Sequence, residues 1–180
     1  HANISMVEHF ATRVMPLIWR EKPEARLVVV GKDPPPRILE LGKKEGIHIT
    51  GTLPDIRPYL CSAAVAVAPI TYGVGIQNKV LEAMACATPV ISTPQAVSAL
   101  QARPGQDLVV AEGEEGLAKA ALRMLSSREE QAQVGCLGRQ YVEKYHRWEN
   151  IVSDLEEVYH ENIWNQHHIV ERSPARFGVD

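Results

Sequence analysis

No apolar run in this chain approaches the roughly 20 residues a helix needs to cross a bilayer. The longest, Ala63 to Ile70, has the length of a buried strand. Cysteine is scarce as well: Cys61, Cys86 and Cys136 are an odd number at wide spacing. That spacing offers neither the close pairs of a zinc site nor a disulfide framework, so the three read as small apolar residues in a reducing compartment. Positive charge is not in excess. With 19 Lys+Arg against 22 Asp+Glu, the net charge of -3 gives no general attraction for a phosphate polymer and argues against a nucleic-acid partner. A small phosphorylated ligand stays open, since a few amides and one lysine suffice to hold it. Internal repeats and low-complexity linkers are absent. Pro34-Pro35-Pro36 is too short to be a ligand for aromatic grooves and reads as a stiff lead into the next helix.

What is present is the composition of an ordinary globular protein, 45% hydrophobic and 23% charged over 180 residues, which suits one α/β domain with a real core. The chain opens at His1 without a charged n-region, apolar stretch and cleavage site, and is expected to be a piece whose beginning lies elsewhere.

Asn3 can cap a helix running to about Arg20, because Met6, Val7, Phe10, Val14, Leu17 and Ile18 recur at helical spacing; Pro23 marks its end. Continuous apolar runs follow at Arg26 to Val30, Ile47 to Thr50, Val65 to Ala68, Pro89 to Ser92 and Leu108 to Ala111. Runs of this kind belong to parallel strands covered on both faces. Between them lie helical stretches at about 35–44, 55–62, 78–86 and 114–126. The alternation predicts a doubly wound, Rossmann-like parallel sheet with helical crossovers. After Ser126 two helical stretches remain, about 128–144 and 147–164, the second carrying Ile151, Leu155, Val158 and Tyr159 on one side. A long C-terminal helix of this kind often packs on a neighbouring domain. The chain from about His167 reads as a loose tail.

In such a sheet the ligand crevice lies beyond the C-terminal ends of the strands, which directs attention to four loops. Gly31-Lys32-Asp33 lacks the further glycines of a dinucleotide fingerprint and is a plain turn or a ligand contact. In Thr50-Gly51-Thr52-Leu53-Pro54-Asp55, Gly51 permits close backbone approach by a flat base and Asp55 can cap the next helix; turn plus cap is the plainer reading. The richest loop is Ala68-Pro69-Ile70-Thr71-Tyr72-Gly73-Val74-Gly75-Ile76-Gln77-Asn78-Lys79-Val80-Leu81-Glu82. Two glycines just before a helix leave several free N–H groups at its start that can point at one anion, and a diphosphate is the natural occupant. Lys79 lies in the first turn, unfavourable for a cation unless an anion binds there; it contacts a phosphate or sugar, or is simply solvated. Glu82 follows Asn78 and Lys79 by one turn on or near the same face, and can hold two ribose hydroxyls or form a Glu–Lys surface pair. In Ser92-Thr93-Pro94-Gln95-Ala96, hydroxyls and amides face the donor or make a turn.

The third loop resembles the C-terminal domain of retaining GT-B glycosyltransferases of family 4, a group related to sucrose synthase and to bacterial polysaccharide and lipid glycosyltransferases. The likeness extends over about residues 3 to 165. It is carried by the strand ending VVVG, by GTLPDIRPYLCSAAVAVAP, by GVGIQNKVLEAMACATPVIST and by YHRWENIVSDLEEVYHE. It implies a nucleotide-sugar-binding domain over 1–166 with a tail at 167–180, in a piece that lacks its first strand and the N-terminal acceptor domain. It further implies that Glu82 matches the second glutamate of the family's pair and holds the donor ribose. Gly73, Gly75, Ile76, Gln77, Asn78 and Lys79 then surround the diphosphate and sugar, with Gly51 and Thr52 near the base. The first glutamate of the pair falls at Val74, which has no carboxylate, and Lys79 and Asn78 are candidates to take over part of its task.

The activity implied is transfer of a hexose from a UDP- or GDP-sugar to an acceptor hydroxyl with retention, without cofactor or bound metal. The acceptor is a sugar, polysaccharide or lipid-linked molecule, and the setting is cytoplasmic or at the inner face of a membrane. The N-terminal GT-B domain of the same protein completes the cleft, so the piece alone is expected to bind nucleotide weakly or not at all and to transfer nothing. A nucleotide-sugar epimerase, an inverting transferase or a catalytically silent GT-B scaffold remain as alternatives.

Overall fold

The apolar runs become parallel strands and the stretches between them helices. The computed structural model describes residues 2–70 and 75–170 and, for 154 and 161–170, the backbone alone. In chain order the elements are α1 (Ala2–His9), a π-helical turn (Phe10–Val14), α2 (Met15–Glu21), β1 (Leu27–Val29), α3 (Pro36–Leu41), β2 (Ile47–Ile49), α4 (Arg57–Ser62) and β3 (Ala66–Ala68). Then come α5 (Asn78–Ala85), β4 (Val90–Ser92), α6 (Pro94–Val97), β5 (Val109–Val110), α7 (Gly113–Ser126), α8 (Arg128–Tyr145) and α9 (Trp148–Val170).

The α/β alternation read from the sequence is present, with strands trimmed by a residue or two where their ladders end. The strands form two parallel groups. β1 pairs with β2, Val28 opposite His48. β4 lies between β3 and β5, with Ile91 opposite both Val67 and Val109. Among the described residues no ladder joins β1 to β3.

Burial differs between the groups. All three residues of β4 are buried, as a strand covered on both faces and both edges should be, whereas Val28 in β1 is 45% exposed. Ile91, Val14 and Met124 pack together on one side, and Met84, Val80, Val90 and Leu108 form a second cluster, all of them at most 1% exposed. Ile38, Leu41 and Ile47 make a smaller core beside β2.

Two helical expectations change. Asn3 lies inside α1 rather than capping it, and the helix to residue 21 is interrupted by the π-helical turn. The break falls just before Pro16, which has no N–H to give the preceding turn. The short α6 was not foreseen, although its signal, Pro94 at the first helical position, is in the sequence.

α8 carries two interior glycines that are close-packing points. A Cβ on Gly135 would meet the carbonyl oxygen of Ala87 at 2.1 Å, and one on Gly138 the carbonyl oxygen of Asp107 at 2.7 Å. Glycine alone lets this helix reach the turn after α5 and the loop before β5.

Residues His1–Val142 and Glu143–Asp180 are two compact units. In the second, Asn150 Nδ2 donates to the Lys144 carbonyl at 2.7 Å where α8 gives way to α9. α9 includes 167–170, which the sequence reading assigned to the tail; 171–180 lie outside the described residues. Its apolar stripe is exposed, Leu155 by 51% and Val158 by 53%. Among the described residues no helix is long and apolar enough to cross a membrane. Cys61 and Cys136 are exposed and Cys86 half-buried, so only Cys86 approaches the role of an apolar filler.

Candidate functional site

Parallel strands send their C-terminal ends to one edge, and the loops singled out from the sequence gather there. Gly51, at φ 70°, and Gly75, at φ 90°, adopt the left-handed backbone that disfavours other residues, and neither has an atom within 4 Å of the place a Cβ would take. Backbone at both points is therefore open to close approach.

The loops after β1 and β2 touch. Thr52 Oγ1 lies 3.4 Å from the Asp33 amide and 3.5 Å from Asp33 Oδ1. Asp55 plays the capping part expected of it: its Oδ1 accepts the Arg57 N–H at 2.9 Å at the start of α4. Hydrogen bonds from the Arg57 side chain and amide hold the Asp55 carboxyl below the usual carboxylate range.

α5 forms because Val80, Ala83 and Met84 present one apolar face to the core while Asn78, Glu82 and Ala85 face outward. Gln77 occupies the cap position with extended backbone and no side-chain bond to the helix. The Gln77 side chain thus takes none of the first-turn amides, of which the Val80 N–H donates to the Gln77 carbonyl at 2.9 Å. Gln77 Nε2 instead lies 3.4 Å from the Gly75 carbonyl, while Ile76 is 51% exposed.

Lys79 is half-buried. Its Nζ donates to Asn3 Oδ1 at 2.9 Å and lies 3.5 Å from Gln77 Oε1. Burial lowers its pKa, and the nearby Glu82 carboxylate acts in the opposite direction. The cation is disfavoured by desolvation and by the positive end of α5, and a bound anion would relieve both. Glu82 is exposed, and it lines with Lys79 a cavity of about 940 Å³ that also reaches Asn3, Gly31 and Lys32.

The structure thus brings Lys79 and Glu82 to one cavity, and sets Gly51 and Thr52 at the same edge of the strands as Gly31. Gly73 and Val74 lie outside the described residues. Ser92 and Thr93 are corrected: both are buried and turn their hydroxyls away from any crevice. Ser92 donates to the Ala68 carbonyl at 2.8 Å and Thr93 to that of Ile70, pinning the end of β4 to β3. The reason is that a strand buried on all sides must satisfy its hydroxyls internally. Asn3 is the residue sequence reasoning missed. Nothing local signals a partner 76 positions away.

Taken together these features define a doubly wound domain with an anion-ready helix start at the strand ends. Residues 1–127 match the family described as glycosyl transferases group 1, and the chain belongs to that family. No curated protein matches it. Among solved structures it is similar to sucrose-phosphate synthase from Thermosynechococcus elongatus, with 21% identity, 91% of this chain and 43% of that chain covered, and a TM-score of 0.73. It is similar to HepE of Anabaena in complex with UDP, with 14% identity, 88% and 44% covered, and a TM-score of 0.70. It is also similar to the C-terminal domain of LpcC, a group 1 family protein of Francisella tularensis, with 16% identity, 82% and 80% covered, and a TM-score of 0.63. The fold is that of a GT-B C-terminal domain, and the chain spans less than half the length of the first two relatives.

Proposed function

We propose that this chain is the donor-binding half of a retaining family 4 glycosyltransferase, transferring a hexose from a nucleoside diphosphate sugar to an acceptor hydroxyl in polysaccharide or glycolipid synthesis. The reading rests on one observation: Lys79 and Glu82, three residues apart on α5, line the same cavity beside an uncapped helix start. The diphosphate sits on the amides that open α5, where helix polarity and Lys79 favour negative charge. Glu82 accepts hydrogen bonds from the ribose hydroxyls, and the base lies along Gly51 and Thr52.

As the sugar departs, charge grows on the diphosphate, and fixed donors aimed at it lower the barrier without reorganising. The proposed reaction names no protein nucleophile and no metal. The UDP complex of HepE fits a nucleotide-diphosphate ligand for this fold. The acceptor and an N-terminal GT-B domain complete the site, at the cytoplasmic face of a membrane or in the cytoplasm.

Titration of the 180-residue chain with UDP and GDP, followed by amide NMR shifts, tests the donor reading. Shifts are expected at Gly51, Thr52 and Gly75 to Lys79, and Glu82→Ala weakens binding about tenfold, the effect of losing charge-assisted hydrogen bonds. Because Glu82 is exposed, the thermal midpoint stays unchanged. Equal affinity in Glu82→Ala, or shifts confined to other loops, would sink it.

A further inference from the structure

Two of the cysteines that stand far apart in the sequence are brought together by the fold. Thr88 Oγ1 donates to the Leu60 carbonyl at 2.8 Å, and the Ala66 N–H donates to the Pro89 carbonyl at 2.9 Å. The chain running from α4 into β3 is thereby clamped at two points to the chain that leaves α5 for β4. Leu60 also packs on the cluster of Val80, Ala83 and Met84, which seats the last turn of α4 against α5. Cys61 follows Leu60 in that turn, and Cys86 ends α5 just ahead of Thr88.

Inside this clamp the two thiols meet. Burial pushes the Cys86 thiol up, and the Cys61 thiol, in hydrogen-bond contact with it, acts in the same direction. Cys61 is exposed and Cys86 half-buried, and both are free thiols. Arg57, one helical turn before Cys61, brings positive charge to both sulfurs, while the Asp55 carboxylate opposes it at Cys86. A neighbouring cation favours the thiolate, the form that reacts. An accessible thiol, a sheltered thiol and a cation thus form one cluster, at the opposite end of α5 from Lys79. Cys136 has a different neighbour, Gln140 Nε2 at 3.4 Å on α8.

We propose that Cys61 and Cys86 are a reversible modification site, which closes to an intramolecular disulfide by exchange with low-molecular-weight disulfides of the glutathione type. The Cys61 thiolate attacks one sulfur of the small disulfide, whose S–S bond breaks and releases one thiolate. Cys86, its proton lost to water, then attacks the Cys61 sulfur of the mixed disulfide and expels the second thiolate. The protein gives up two electrons and two protons, and the small disulfide takes both and leaves as two thiols. Excess small thiol runs the same steps backward, so the pair is open in a reducing compartment and closes as that compartment becomes oxidising. The bond fastens α4, which the chain enters from the Gly51 to Asp55 loop, to the end of the helix that carries Lys79 and Glu82. None of this depends on the donor reading.

The test incubates the chain with oxidised glutathione, blocks the remaining thiols and maps the products by mass spectrometry. The expected product carries a Cys61–Cys86 link, lighter by two hydrogens and free of glutathione, while Cys136 holds a glutathione adduct. Excess reduced glutathione restores all three thiols. Because the bond closes a long loop of chain, the thermal midpoint rises by about 5 °C or more. In Cys86→Ser, which keeps the size of the side chain, Cys61 retains its glutathione because nothing displaces it. A lasting adduct on Cys61 of the unaltered chain, a link between two chains, or a link from Cys136 to either cysteine overturns the proposal. So does a midpoint that fails to rise, since a bond made by distorting the chain is not one between thiols already in place.

Discussion

The three-stranded group and the two-stranded group are built from similar residues, but only one is closed. β4 is buried throughout and supported by α5, α7 and α8, whereas β1 leaves Val28 45% exposed beside the cavity that Lys79 lines. The loops at the strand ends are divided accordingly. Lys79 and Glu82 ride on α5, whose apolar face is anchored in the closed group, while Gly31, Gly51 and Thr52 belong to the open one. The contrast teaches that the charged part of the candidate site is held by packing, and the part assigned to the base by loops on the less complete half.

The hardest blow to the closed group is Gly135→Ala. A methyl group there meets the Ala87 carbonyl at 2.1 Å, and neither backbone can yield cheaply. A loss of about 3 kcal/mol or more is expected in urea unfolding, since overpacking against backbone exceeds ordinary core strain. A loss under about 1 kcal/mol would mean that α8 does not clamp this half.

Next in size is a paired truncation that measures the asymmetry itself. Ile91→Ala, at a 0% exposed position, should cost about 2–4 kcal/mol, and Val28→Ala, at a 45% exposed one, under about 1 kcal/mol. Equal costs would erase the distinction between the halves.

The smallest effect concerns pH. Asp107 is 2% exposed and accepts from the Arg103 amide at 2.8 Å, from Nε at 3.0 Å and from Nη2 at 2.8 Å. The hydrogen bonds from the Arg103 side chain, ahead of the opposing effect of burial, hold its carboxyl below 3.8. A carboxyl with a depressed folded value binds its proton more readily when unfolded. Its contribution is therefore complete above 3.8 and disappears as pH falls through the folded value. Asp107→Asn should cost about 1–2 kcal/mol at neutral pH and reduce the steepness of the acid limb of stability against pH. An unchanged acid limb would show that this pair does not tie the loop before β5 to the closed group.

Much of the fold was legible in order. Apolar runs closed by Gly31 and Gly51 gave β1 and β2 in their places, and the run to Ala68 gave β3, because strand and helix periodicities are local properties. The sequence also marked the start of α5, where glycines precede Lys79 and Glu82. Ser92 and Thr93 misled for a physical reason: a hydroxyl after a strand has the same local signature whether it meets a ligand or a neighbouring carbonyl. The partnership of Lys79 with Asn3 had no signal at all, since a surface asparagine near a helix start reads as a cap.

The sequence by itself determined the alternation of elements, the family of the chain and the residues that open α5, since each of these is written in nearest-neighbour chemistry and spacing. Only the tertiary structure decided that Lys79 and Glu82 share one cavity, that Ser92 and Thr93 face inward, and that the described strands pair as two separate parallel groups. Those facts depend on which edges find hydrogen-bond partners and which surfaces lose water, and such pairings join residues that the chain order keeps far apart.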